Sequence, residues 1–239
     1  MEAAGRLIVL AALVFLAACG GSPGASSAAS EQESGGPLVP GTDIPLPADY
    51  SPDGRAHYAM RVAFFAEHPP EPSAVAMVGD SITEGGDWGR LISGVRTANF
   101  GVSYDRTSGL LARLGQVEKA EPSKILLLIG ANDVGNFVPN AEIAANLRAI
   151  LRRMKEFVPA DRILLQSVMP REPEFEATIV GLNRAVAAIA AEEGVAYLDI
   201  YPSLVDGGRL NPALTDDSLH LNEAGYAVWS GLIAGWAAE

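Results

Sequence analysis

Ser81 stands in the stretch GDSITEGGDW, Gly79 to Trp88, directly after an apolar run and between an acid and a string of glycines. A serine hydroxyl attacks a carbonyl only when a base takes its proton, and imidazole is the side chain whose pKa suits that task near neutrality. The chain has three histidines. His57 and His68 precede the first strand-like run, in what reads as an entry helix and its proline-rich exit, whereas His220 comes just before the last helical segment and is the candidate base. Such an imidazole needs a carboxylate on its other nitrogen to fix the tautomer and stabilise the charge. Asp217, three residues before His220, can return to Nδ1 within one tight turn and leave Nε2 facing Ser81. Asp216 is its rival, with a turn cap as the plainer role for either acid.

These groups lie far apart in the chain, so the fold must gather them. Apolar runs of strand length fall at residues 74–78, 97–100, 125–129, 163–167 and 195–200. Several are continuous rather than alternating, as strands covered on both faces should be. Between them lie helical patterns. NAEIAANLRAILRRMKEFVP puts Ile143, Leu147, Ile150, Met154 and Phe157 on one stripe, with Asn140 as N-cap and Pro159 beyond the end. A second helix is expected over about residues 174–193, stopping at Gly194, and a third over about 222–238. Alternating strands and helices imply parallel pairing, hence an α/β fold: a three-layer α/β/α sandwich around a five-stranded sheet. Ligands in such folds sit beyond the carboxyl ends of the strands. The residues found there are Asp80 and Ser81, then NFGVSYD with Asn99 and Gly101, then GAND with Gly130, Asn132 and Asp133.

The rest of the chain bounds the function. A net charge of −12 opposes a phosphate-tracking surface, so nucleic acid is not an expected partner. The start, MEAAGRLIVLAALVFLAAC, has one arginine and an apolar core too short to span a bilayer comfortably, which suits a signal peptide over residues 1–18. Its end, LAAC, resembles a bacterial lipobox, in which Cys19 becomes the lipid-bearing first residue. That implies an exported protein on the periplasmic or outer face, tethered to a membrane rather than spanning it. Cys19 is the only cysteine, which excludes an internal disulfide. Residues 19–49, rich in Gly, Ser, Ala and Pro, read as a flexible tether, and residues 50–239 as the folded domain. Scattered acids and unpaired histidines give no metal-ligand spacing, and serine chemistry needs no organic cofactor.

Taken in order, the Ser81, Gly101, Asn132 and Asp217-to-His220 stretches resemble the SGNH hydrolases, also called the GDSL family, over about residues 72–230. GDSITEGGDW, NFGVSYDRT and HLNEAGY look closer to the platelet-activating-factor acetylhydrolase and carbohydrate acetylesterase branches than to the thioesterase and lysophospholipase branch. The resemblance implies a flavodoxin-like sheet and a serine esterase acting on short acyl esters, with acetyl groups on carbohydrates as the expected substrate. Longer acyl chains are the alternative, and a glycan-binding lipoprotein without activity is the alternative of another class. The family's Asp-x-x-His pattern selects Asp217 over Asp216. The resemblance also implies an oxyanion hole from the Ser81 amide, the Gly101 amide and the Asn132 side chain. Gly101 could instead serve a turn of positive φ, and Asn132 could cap a helix. Two departures stand out. Ser218 occupies a position where glycine is common, and Tyr104 one where a small residue often stands, so that its ring would narrow the acyl pocket or wall the alcohol side. Trp88 and Phe100 are further candidates to line the site, with ordinary packing as the plainer reading.

Overall fold

The computed structural model describes residues 36–239; the expected signal peptide, Cys19 and most of the stretch expected to be a tether lie outside them. In chain order the elements are α1 (Pro52–Glu67), β1 (Val75–Gly79), α2 (Ser81–Glu84), α3 (Trp88–Leu91), β2 (Thr97–Gly101), α4 (Thr107–Lys119), β3 (Lys124–Leu128), α5 (Ala131–Gly135) and α6 (Asn140–Met154). There follow β4 (Ile163–Gln166), α7 (Glu176–Glu193), β5 (Ala196–Leu198), the short pair β6 (Val205–Asp206) and β7 (Arg209–Leu210), and α8 (Glu223–Ala238).

Five strands form one parallel sheet in the order β2-β1-β3-β4-β5, with helices on both faces, the expected three-layer α/β/α sandwich. All five residues of β1 are buried, which is why its sequence is apolar without alternation. The chain leaves β1 for one neighbour, β2, and then returns to the other side as β3. That reversal opens a crevice at the carboxyl end of β1, where the β1–α2, β2–α4 and β3–α5 connections converge. The register pairs Gly79 with Gly101 on one side and with Leu128 on the other, so the three strands end level with one another.

The long helices follow from their stripes. Ile143, Leu147, Ile150 and Met154 of α6 are fully buried, and α7 ends at Gly194 in the left-handed conformation. Two expected boundaries move. Pro139, not Asn140, precedes the first turn of α6, and the Asn140 side chain donates instead to the Thr178 carbonyl. The Glu174 region begins as a short 3-10 turn before α7 proper. The folded body also starts earlier than residue 50. Leu38 and Pro45 form a β-bridge, and Val39 and Ile44 are buried in the main core. The apolar side chains scattered among the prolines and glycines of this stretch are enough to seat it.

Candidate active site

Ser81 is the first residue of α2, the four-residue helix that follows β1. Asp80 caps that helix, its Oδ1 accepting from the Ile82 amide at 3.0 Å. A Cβ on Gly79 would lie 2.2 Å from both the Leu128 carbonyl oxygen and the Thr83 Oγ1, so only glycine allows the strand to turn here. Three outside side chains hold the carbonyls of α2. Tyr226 Oη donates to the Ile82 carbonyl at 2.8 Å, Trp88 Nε1 to Thr83 at 2.9 Å and Asn99 Nδ2 to Glu84 at 2.9 Å. So short a helix would not persist alone; β2, α3 and α8 fix it from without.

The Ser81 Oγ lies 3.0 Å from His220 Nε2, and His220 Nδ1 lies 2.7 Å from Asp217 Oδ2. Asp217 Oδ1 accepts from the Leu219 amide at 2.9 Å and the His220 amide at 2.7 Å. Partial burial pushes the Asp217 carboxyl up, but the bonds from the His220 ring, the His220 amide and the Leu219 amide outweigh it and hold the group well below the usual carboxylate range. The turn that achieves this is closed by Thr215, whose Oγ1 accepts from the Ser218 amide and donates to the His220 carbonyl. Ser218 takes φ 69°, which accounts for the glycine common there. Asp216 is exposed and holds no part of this arrangement.

A cavity of about 340 Å³ joins Ser81 and His220 to Asn132, Ser103, Tyr104, Leu219 and His57. Asn132 lies in α5 after Gly130 and does not cap it; its Nδ2 donates to the Asp105 carbonyl at 2.9 Å. An amide nitrogen carries two hydrogens, which leaves one for the cavity. The Ser81 N–H is among the first of its helix, where no intrahelical acceptor exists.

Gly101 does not fit its expected place. Its amide donates to Asn99 Oδ1 at 2.9 Å, and the residue is buried at the end of β2 without positive φ. A Cβ there would meet the Glu84 amide nitrogen at 2.1 Å, so Gly101 is glycine because α2 lies directly on it. The residues of this loop that reach the cavity are Ser103 and Tyr104, the latter half exposed, with φ 67°. The Tyr104 N–H has no acceptor among the described residues. The signal for it was the small residue that Tyr104 replaces, since small residues tolerate left-handed backbone. Trp88 and Phe100 are also corrected. Trp88 is 2% exposed and packs edge-on against Trp229, with centroids 4.7 Å apart, and Phe100 is fully buried. Neither lines the cavity.

Beneath the site, Asp80 is wholly buried, and that burial pushes its carboxyl up to about 7, with Asp105 and Asp133 nearby adding to the rise. Asp133 holds the next loop, accepting from the Thr107 amide and hydroxyl. Arg113 and Asp105 form a fully buried pair at 2.7 Å, and Arg113 Nη2 donates to the Gly79 carbonyl at 3.0 Å. His57, set aside on sequence grounds, proves to be a cavity residue. Its Nε2 lies 2.9 Å from Glu84 Oε2, and nothing in the sequence links these two positions 27 residues apart.

The model of the GDSL-like lipase/acylhydrolase family matches residues 77–228. No curated protein matches the sequence. Among solved structures, a Streptococcus pneumonia protein provisionally described as a platelet activating factor is 27% identical, with TM-score 0.67 over 77% of this chain and 92% of that one. A GDSL-like lipase from Bacteroides thetaiotaomicron is 22% identical, with TM-score 0.65 over 77% and 98%. An acetylxylan esterase from Geobacillus stearothermophilus is 20% identical, with TM-score 0.56 over 71% and 96%.

Proposed function

Because the chain belongs to the GDSL-like lipase/acylhydrolase family, and is therefore an ester hydrolase, we propose that it cleaves short acyl esters, acetyl groups on carbohydrates first among them, through an acyl-enzyme on Ser81. The observation that carries this reading is the unbroken relay from Ser81 Oγ through His220 to Asp217, 3.0 and 2.7 Å long, in one open cavity. His220 Nε2 takes the hydroxyl proton as Oγ bonds to the ester carbon, and Asp217 steadies the imidazolium at Nδ1. Negative charge on the former carbonyl oxygen falls to the Ser81 N–H, the Tyr104 N–H and the free Asn132 Nδ2 hydrogen. The intermediate collapses, the alcohol leaves with the proton from Nε2, and water repeats the sequence to release the acid.

The short acyl group rests on the cavity wall. Leu219 is its single aliphatic residue and Tyr104 narrows it, whereas a long chain needs an apolar channel. The Geobacillus acetylxylan esterase, with the same fold, suggests acetylated xylose units as the first sugars to try. Ser81→Ala should abolish p-nitrophenol release from p-nitrophenyl acetate, and full retained activity would end the proposal. A chain-length series then tests the acyl preference: acetate above octanoate supports it, and the reverse points to a lysophospholipase or thioesterase.

The lipobox-like LAAC further supports export and lipidation at Cys19, with the enzyme held at a membrane on the periplasmic or outer face. Among the described residues no helix is long and apolar enough to cross a membrane. Labelled palmitate should enter the full chain and not its Cys19→Ser variant; equal labelling would refute lipidation there.

A further inference from the structure

The cavity has a second histidine–carboxylate pair that the relay does not use. His57 sits on α1, and its ring forms part of the cavity wall together with Ser81 and His220. Its Nε2 bonds to both oxygens of Glu84, at 3.0 and 2.9 Å. Glu84 closes α2, the helix that Ser81 opens, which fixes the carboxylate beside the cavity. The Glu84 carboxylate is itself fixed from three further directions, by the Ser103 amide at 2.6 Å, the Ser103 hydroxyl at 2.7 Å and Arg61 Nε at 3.1 Å. Burial raises the Glu84 carboxyl, but the bonds from Ser103 and His57 and the charge of Arg61 more than reverse it, and the group stays ionised near neutrality.

An ionised carboxylate at Nε2 fixes the imidazole orientation and its tautomer, as partners of metal-bound and catalytic histidines do. In the neutral ring this partner places the proton on Nε2, which makes Nδ1 the acceptor. Among the described residues Nδ1 bonds to nothing. The histidine just beyond the end of α1 shows the contrast: His68 is stacked on Phe64, with its Nδ1 against the Phe64 carbonyl. The Tyr104 ring meets His57 edge-on, with centroids 6.2 Å apart, and adds an apolar face beside the acceptor. An acceptor nitrogen next to an aromatic face matches a sugar ring, which offers hydroxyl donors and patches of C–H.

We infer that His57, oriented by Glu84, is a specificity residue that accepts a hydrogen bond from a free hydroxyl of the sugar carrying the ester. This rests on the serine-esterase reading and names the alcohol side of the same site. A purely structural duty for the pair is covered elsewhere, since Arg61 independently ties α1 to the Gly101 carbonyl, at 3.1 and 3.3 Å.

Three substrates test it: a monoacetylated methyl xyloside with a free hydroxyl beside the ester, the fully acetylated xyloside, and p-nitrophenyl acetate. The wild type should prefer the monoacetylated sugar. His57→Ala should lower kcat/KM on that substrate, mostly through KM, by about tenfold more than it lowers kcat/KM on p-nitrophenyl acetate. Equal losses on all three substrates, or no wild-type preference for the free hydroxyl, would overturn the inference. Should the variant fail to fold, the imidazole resonances of wild-type His57 provide the second measurement: methyl xyloside should shift its Nδ1 signal, and an unmoved signal at saturating sugar counts against the role. The serine reading itself fails only if Ser81→Ala keeps its aryl-acetate activity, so the two outcomes are separable.

Discussion

Asp216 and Asp217 are adjacent and chemically identical, yet only Asp217 reaches the His220 ring, at 2.7 Å. Asp217→Asn should therefore lower kcat on p-nitrophenyl acetate by about a thousand-fold or more, because the amide favours the wrong tautomer, while Asp216→Asn leaves it unchanged. Comparable losses in both would contradict the geometry. Asp80 raises a different question, one of pH. Its carboxyl is raised to about 7 in the folded protein against 3.8 as a free group. Between those values the folded state keeps a proton that the unfolded chain has released, so this group makes stability fall as pH rises from about 4 towards 7. Asp80→Asn should flatten the slope of unfolding free energy measured in urea across pH 5 to 7, by up to about 1.4 kcal/mol per pH unit. Identical slopes would show that Asp80 ionises normally. At this scale the sequence was most legible where residue type limits the choice: one serine after β1, one histidine before α8 and an acid three residues away. It was least legible at Gly101, because whether an amide is free depends on a side chain two residues back, and at His57, whose partner reaches it only through the fold.

The element that decides the site is α2. Four residues carry the nucleophile at one end and Glu84 at the other, and β2 underlies both. Gly101→Ala would push a methyl into the Glu84 backbone, where no flexible side chain can give way. It should cost about 1–3 kcal/mol as an overpacking strain and reduce activity by moving α2. Tyr104→Gly makes the opposite case. The backbone N–H remains, the left-handed φ of 67° becomes unstrained, and the cavity widens. That variant should keep aryl-acetate activity and gain on longer acyl esters in the chain-length series; loss of stability comparable to Gly101→Ala would reverse the roles given to the two residues. Strands β1, β3 and β4 and helices α6, α7 and α8 could be read from the sequence because each buries a stripe or run, whereas β2 and β5 are only partly buried. The short helix α2 could not be read that way, since it persists through Tyr226, Trp88 and Asn99 rather than through any repeat of its own. The hairpin β6–β7 did carry a signal in Asp206-Gly207-Gly208, whose glycines take φ 57° and 79° as a tight hairpin turn requires.

For the molecule as a whole, the buried ion pair Arg113–Asp105 links the N-terminal stretch to the floor of the site. Asp105 accepts from Arg113 Nε at 2.7 Å and from Tyr50 Oη at 2.7 Å, and that hydroxyl in turn accepts from the Arg106 amide at 2.7 Å. Arg113 passes the contact on to the Gly79 carbonyl, immediately before Asp80 and Ser81. The stretch before α1 thus does more than lead into the fold, although its proline and glycine content reads as tether. Composition hid this because a few buried side chains, Val39, Ile44 and Tyr50, suffice to seat a chain that forms almost no regular structure. Tyr50→Phe removes one donor from a buried carboxylate, a loss of about 1–3 kcal/mol. A variant beginning at Ser51 loses that bond together with the burial of Val39 and Ile44, offset in part by the entropy no longer spent on ordering the segment. It should unfold at least as far below the wild type as Tyr50→Phe does, with about 2–4 °C in thermal midpoint for each kcal/mol lost. A variant beginning at Gly36 keeps all three side chains and should hold the wild-type midpoint. If the Ser51 variant melted with the Gly36 variant, the segment would be a tether after all, and the domain would begin at α1.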